Sequence, residues 1–284
     1  MQLGIFAKTF VRANFQECFA AAKGQGLDCV QFNFSCAGLR TLPGALDPAL
    51  VQGVRSELER RALSMAAVSG TCNLIHPEPV RRAKDVENLA ALIRACPDLG
   101  TSVVTLCTGT RDPGDMWRAH AENHSTDAWR DLENSLATLL PIAEEHGVVL
   151  GIEPEPANVI DSASRAGKLL EEMKSPFLKI IFDAANLLRP ETLPTQRKIL
   201  SEAVELLGAQ TVVAHAKDLV SVPGSGHVAA GRGALDYNFY LSLLKTAGFD
   251  GPLVLHSLSE KEVPAAVAFL KQGIASADST ALRR

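Results

Sequence analysis

Short apolar, β-branched runs alternate with longer stretches of helical period from one end of the chain to the other. The runs Leu3 to Ala7, Cys29 to Phe32, Ser64 to Val68, Val103 to Cys107, Val148 to Glu153, Leu178 to Asp183, Thr211 to His215 and Leu253 to Leu258 predict eight strands. Between them, Val86, Leu89, Ala90, Ile93 and Cys96 recur at helical spacing, as do Trp129, Leu132, Leu136, Leu139, Leu140 and Ala143, so each helix has one face to bury. Ser125-Thr126-Asp127 offers a cap for the helix carrying Trp129, and Gly147, Gly208 and Gly248 stand where helices should stop. Eight strand–helix units of about 35 residues, with no linker or shift of composition, predict one α/β domain. A (β/α)8 barrel over residues 1–275 fits better than a doubly wound sheet of six strands with a second domain. From Ala275 on the periodicity lapses, which predicts a loose tail over 276–284.

Composition agrees with this picture. The chain has 284 residues, 46% of them hydrophobic and 21% charged, enough to build a large core and too apolar for a disordered protein. A net charge of −4 supplies no excess of cations to displace counterions from a polyanion, so general nucleic-acid binding is disfavoured. No apolar run approaches the roughly 18 residues of a membrane span, and the first ten residues lack the basic and apolar segments of a signal peptide. No membrane association and a cytoplasmic location are therefore expected. The six cysteines (18, 29, 36, 72, 96 and 107) form no CxxC pair and several fall inside apolar runs, as reduced packing residues do.

In a barrel, chemistry collects where strands end at the C-terminal face, so polar residues that close an apolar run are the candidates. The fifth strand ends in Glu153, the sixth in Asp183, the seventh in His215 and the eighth in His256. Adjacent strand ends lie close together. Two buried carboxylates would repel one another, and a divalent cation relieves that conflict. Two carboxylate oxygens and two imidazole nitrogens suit Mn²⁺, Co²⁺, Fe²⁺ or Zn²⁺, with Mn²⁺ preferred here, whereas Mg²⁺ usually takes oxygen ligands. The alternative for each residue is ordinary: a strand-end acid capping the next helix, or a histidine satisfied within the core.

The run Gly151-Ile152-Glu153, the strand ending at Asp183 with Ala184-Ala185-Asn186 behind it, His215-Ala216-Lys217-Asp218, and Gly231-Arg232-Gly233-Ala234-Leu235-Asp236-Tyr237 together resemble the sugar phosphate isomerase/epimerase family of xylose isomerase-like TIM barrels. The resemblance spans almost the whole chain. It implies a divalent metal held by a glutamate, an aspartate, a histidine and a second glutamate from strands five to eight. Glu153, Asp183 and His215 match the first three, but His256 stands where the last glutamate is expected, and Glu260 lies four residues on, so either could complete the set. The family's two-base chemistry implies Glu153 as one base; with His256 in the second place, either its imidazole is the other or the reaction needs only one. A family histidine three residues after the strand-six aspartate is Asn186 here, suited to a substrate hydroxyl or to capping a helix. The resemblance also makes a homo-oligomer, a dimer or tetramer, an expectation.

The polar segments after strands three and four carry further candidates. Asn73, His76 and Arg111 could grip hydroxyls or an anion; Arg111 could instead pair with Asp112 or Asp115. The long segment from Thr108 to Thr126 reads as a lid, with Trp117 placed to stack on a sugar ring and His120 and Asn123 to hydrogen-bond it. Lys217 and Arg232 are further substrate contacts. The glycines from Gly224-Ser225-Gly226 to Gly231-Arg232-Gly233 form either a phosphate cradle or a flexible loop.

These readings converge on a metal-dependent isomerase or epimerase of a small sugar or keto-sugar, acting by proton abstraction to a metal-stabilised enediolate. The rival within the same barrel class is a lyase, a keto-inositol dehydratase or a 3-keto-glycoside deglycosidase. An apurinic-endonuclease-like enzyme would need many more histidine and acidic ligands. A non-catalytic sugar-binding protein is the remaining alternative.

Overall fold

A computed structural model describes residues 1–222, 224 and 226–281. The chain runs β1 (Gln2–Phe6), α1 (Phe15–Gly24), β2 (Cys29–Phe32), α2 (Pro48–Arg60), β3 (Ser64–Ser69), α3 (Pro79–Leu99), β4 (Val103–Leu106), α4 (Thr126–Glu145) and β5 (Val149–Ile152). It continues through α5 (Ala163–Met173), β6 (Leu178–Asp183), α6 (Gln196–Leu207), β7 (Thr211–Leu219), β8 (His227–Ala229), α7 (Tyr237–Thr246), β9 (Pro252–Leu255) and α8 (Val263–Ala281). Strands β1 to β7 pair in sequence order and β9 joins β7 to β1, so eight parallel strands close on themselves with the helices outside. This is a single (β/α)8 TIM barrel.

The helices begin and end as local chemistry demands. Ser125 caps α4 by accepting from the Ala128 N–H, and Asn14, Asp47, Ser162 and Asp236 do the same for α1, α2, α5 and α7. Gly147 and Gly248 adopt φ of 64° and 79°, the left-handed turn that ends a helix at least cost in glycine. Gly208 behaves differently: it stays right-handed and the chain tightens into a 3₁₀ turn, Gly208–Gln210. The predicted loose tail is helical through residues 276–281, where α8 continues; residues 282–284 lie outside those described.

Two departures concern β7, which runs past His215 to Leu219 and turns back through β8 in an antiparallel hairpin, with Lys217 opposite Ala229. Three residues are too short a run to register as a strand in the sequence. The glycine-rich segment between β7 and α7 includes Ser225, which lies outside the described residues, and its later part is no phosphate cradle. The Asp218 carboxylate accepts from the backbone N–H groups of Leu219, Gly231 and Leu235, and so fills the place an anion would need.

The period of two along each strand decides what lies beneath the mouth of the barrel. Ile181, Val213 and Val254, each two residues before Asp183, His215 and His256, pack with Cys29, Ala66 and Ala67 into an apolar layer inside the barrel. Gly151 precedes Glu153 in the same way, and a Cβ there would come within 2.4 Å of the Ile181 Cδ1. Position 151 must therefore be bare so that Ile181 can fill the layer below the strand ends. Gly151→Ala is expected to lower stability to urea by about 1–3 kcal/mol through overpacking. Ile181→Ala in the same chain should recover part of the loss, because the two sites share one space; a fully stable Gly151→Ala protein would contradict this packing.

Candidate metal centre

Each functional side chain sits where an apolar strand runs out. Asp183 and His215 are register partners across β6 and β7, and Glu153 and His256 follow directly on β5 and β9. The four residues offer ligand atoms that all lie within 4.8 Å of one another. His215 Nδ1 is 3.1 Å from Glu153 Oε1 and 3.7 Å from Asp183 Oδ2. His256 Nε2 is 3.0 Å from Asp183 Oδ2, which Lys217 Nζ also approaches to 3.2 Å. Glu260 is elsewhere: both its carboxylate oxygens are held by the Arg12 guanidinium at 2.5 and 2.9 Å on the exposed rim. The fourth member of the cluster is thus His256.

Burial opposes every charge here, and mutual pairing decides which charges survive. Burial would raise the carboxyl of Glu153, but His215 and Lys217 outweigh it and hold it below its usual range. Asp183, equally buried, is held well below by Lys217, His215 and His256. The two acids in turn overcome the burial of His215, pushing it up to about 9, and raise Lys217. His256 goes the other way, down to about 4, because burial and Lys217 disfavour its cation. Burial and the charge of Glu153 push Glu155, two residues further on, up to about 8.

The donor set fits a divalent cation. Two carboxylates and two imidazoles at one point are the mixed oxygen and nitrogen ligands that Mn²⁺, Fe²⁺, Co²⁺ and Zn²⁺ accept. Beside Glu153, the Asn186 amide donates to Glu153 Oε1 at 3.0 Å, while its own Oδ1 is buried without a donor. A buried acceptor in that condition is open to a donor, from water or from a ligand.

Above the cluster lies a cavity of about 330 Å³, lined among others by Phe6, Lys8, Trp117, Glu153, Glu155 and His256. Phe6 lines it beside the cluster, its ring centroid 5.9 Å from that of His215 and 5.5 Å from that of His256. Thr41, Thr71 and Met116 separate this cavity from a second hollow of about 450 Å³ between the loops after β2, β3 and β4.

The structure gathers some sequence candidates and disperses others. Trp117 lines the cavity, half exposed, and Asn186 and Lys217 touch the cluster. Asn73 and His76 face the second hollow, where they hold backbone: Asn73 Oδ1 accepts from Ile75 and Thr110, and His76 Nδ1 from Glu78. Arg111 does not reach the cavity and pairs with neither Asp112 nor Asp115. It is buried against Asp131 at 2.7 Å and the Ile75 carbonyl at 3.0 Å, and Arg82 holds the other oxygen of Asp131. His120 caps a short turn by accepting from the Glu122 N–H, and Arg232 is exposed beyond the β8 hairpin. The segment read as a lid is anchored from below, because buried Asn123 accepts from the Arg111 N–H at 2.7 Å and donates to the Ala157 carbonyl at 2.9 Å.

Sequence reasoning missed Glu155, Lys8 and Gln31. Lys8 lies two residues beyond the end of β1 and Glu155 three beyond the end of β5, and Gln31 is a polar residue inside the apolar run of β2, a signal that was there to be followed.

The family described as xylose isomerase-like TIM barrel matches residues 19–273. No curated protein matches by sequence. Solved structures of similar fold include a D-tagatose 3-epimerase-like protein, 17% identical over 99% of this chain and 100% of that one, with a TM-score of 0.78. An L-ribulose 3-epimerase is 17% identical over 99% of this chain and 96% of its own, with a TM-score of 0.76. A protein described as IOLI with a binding zinc atom is 14% identical over 97% and 98% of the two chains, with a TM-score of 0.70. Likeness at such identities speaks for the fold alone. With the match to the family covering most of its length, this chain belongs to the xylose isomerase-like TIM barrels.

Proposed function

We propose that the protein is a divalent-metal-dependent isomerase or epimerase of a small sugar or keto-sugar, acting on the proton of a carbon beside a carbonyl. One observation carries this reading: Glu153, Asp183, His215 and His256 converge from four barrel strands under a single cavity. At about 330 Å³ the cavity is at the lower end of small-molecule sites, which run from about 300 to 1,000 Å³. The similar folds of a D-tagatose 3-epimerase-like protein and an L-ribulose 3-epimerase support the substrate class, and the zinc of the IOLI protein supports a metal. Six buried free thiols fit a reducing compartment, the cytoplasm.

When bound, a divalent cation supplies positive charge to the carbonyl and neighbouring hydroxyl oxygens and so acidifies the C–H between them. Glu153 Oε1 is committed to His215 and Asn186, while Oε2 makes no hydrogen bond among the described residues and takes the proton. Asn186 Oδ1, a buried acceptor without a donor, receives a substrate hydroxyl. Trp117 and Phe6 give apolar faces to the sugar ring. His256 serves in the ligand set: its Nε2 faces Asp183 and its Nδ1 lies 3.2 Å from Ser257 Oγ, so neither nitrogen is left to carry a proton to substrate. The second proton carrier is Glu155, whose carboxyl lines the cavity on the same side as Glu153 and so suits an isomerisation, in which the proton returns to the face it left.

A specific feature favours a second reading, a lyase. Glu155 and Glu153 lie on the same strand end with ligand atoms within 4.8 Å, and elimination needs a base and an acid together where epimerisation needs them on opposite faces. The adjoining hollow of about 450 Å³ would accept a leaving group.

Incubating the Mn²⁺-loaded protein with ketoses and 3-keto-glycosides in D₂O should place deuterium in recovered sugar at the carbon beside the carbonyl. Loss of water or an aglycone without an epimer would select the lyase, and no exchange with any of them would count against both. Glu155→Gln should slow product formation by about 10²–10⁴-fold while keeping one equivalent of metal. Asp183→Ala and His256→Gln should instead lose metal, measured by equilibrium dialysis; undiminished product formation in Glu155→Gln would return the second proton to another group.

A further inference from the structure

Gln31 sits on β2, far in sequence from the four clustered residues, 1% exposed and inside the barrel. Its Oε1 is 2.9 Å from His215 Nε2, the ring nitrogen that faces away from the cluster. Its amide nitrogen donates to Thr105 Oγ1 on β4 at 2.9 Å and to Ser69 Oγ on β3 at 3.4 Å. Both amide hydrogens are thereby used, and the amide oxygen is left to His215.

The consequence lies in the two ring nitrogens of one imidazole. A neutral ring has one N–H and one lone pair, and an acceptor on Nε2 draws the proton there. The lone pair is then on Nδ1, which points at Glu153 and Asp183. With the amide turned the other way, its NH₂ would donate to Nε2 and put the proton on Nδ1, where it blocks a cation. A metal-bound histidine needs its second nitrogen held in this way, most often by a carboxylate, a carbonyl or water. Here the only side-chain partner of Nε2 among the described residues is a neutral amide whose nitrogen donates to two hydroxyls.

We infer that Gln31 is a positioning residue that selects the Nε2–H tautomer of His215 and so makes the cluster competent for a divalent cation. The inference rests on the metal reading above, and its test separates the two. Zn²⁺ affinity is measured on the full chain by competition with a chelating indicator, beside the thermal midpoint of each variant. Gln31→Met, similar in size and without an acceptor, should bind Zn²⁺ about 10–100-fold more weakly. Gln31→Glu, which can only accept when ionised, should restore the affinity. In ¹⁵N spectra of the Zn²⁺-loaded protein, His215 should carry its proton on Nε2. If Gln31→Met binds within twofold of wild type, or if Gln31→Glu and Gln31→Met are equally weakened while both stay folded, the amide does not select the tautomer and the inference falls. If the wild-type chain takes up no equivalent of Zn²⁺ or Mn²⁺, the metal reading itself falls and this inference with it.

Discussion

Two carboxylates are buried at neighbouring strand ends of one barrel, and the surrounding residues are arranged to make that tolerable. Glu153 and Asp183 lose most of their hydration, and like charges this close cannot both persist without compensation. Lys217 and His215, both on β7, supply it, and the acids in turn favour the protonated form of each against burial. None of Asp183, His215 and Lys217 is independent of the others. A change at any one should therefore be felt in the ionisation of the rest, which is how coupled buried sites behave.

The apolar layer below does a complementary job. Ile181, Val213 and Val254 close the barrel under the charged residues, so the polar cluster has a dry floor on one side and the cavity on the other. Strand periodicity ties the layers together: a shift of one residue in β6 would bury Phe182 where Asp183 belongs and turn the acid outward. Apolar packing thereby fixes the height at which the cluster stands.

Much of this was legible in the sequence because it is local. An apolar run that ends in Glu, Asp or His announces a polar group at a strand end, and the order of strands makes Glu153, Asp183, His215 and His256 neighbours once the barrel closes. What was hidden depends on distant partners. Arg111 looked available because Asp131, on α4, could not be seen as its partner. The glycines before α7 suggested an empty nest because nothing in the sequence says that Asp218 turns into it. Gln31 has meaning only through His215, and short-range pattern does not connect residues so far apart.

The anchoring of the long segment between β4 and α4 has a consequence for encounter. Asn123 and the Asp131 pair with Arg82 and Arg111 hold it from beneath, so the wall bearing Met116 and Trp117 stands before any ligand arrives. Less of that wall has to be ordered at the moment of binding. A wall tied down in this way works as a mould more than as a clamp, so selection falls first to shape at entry.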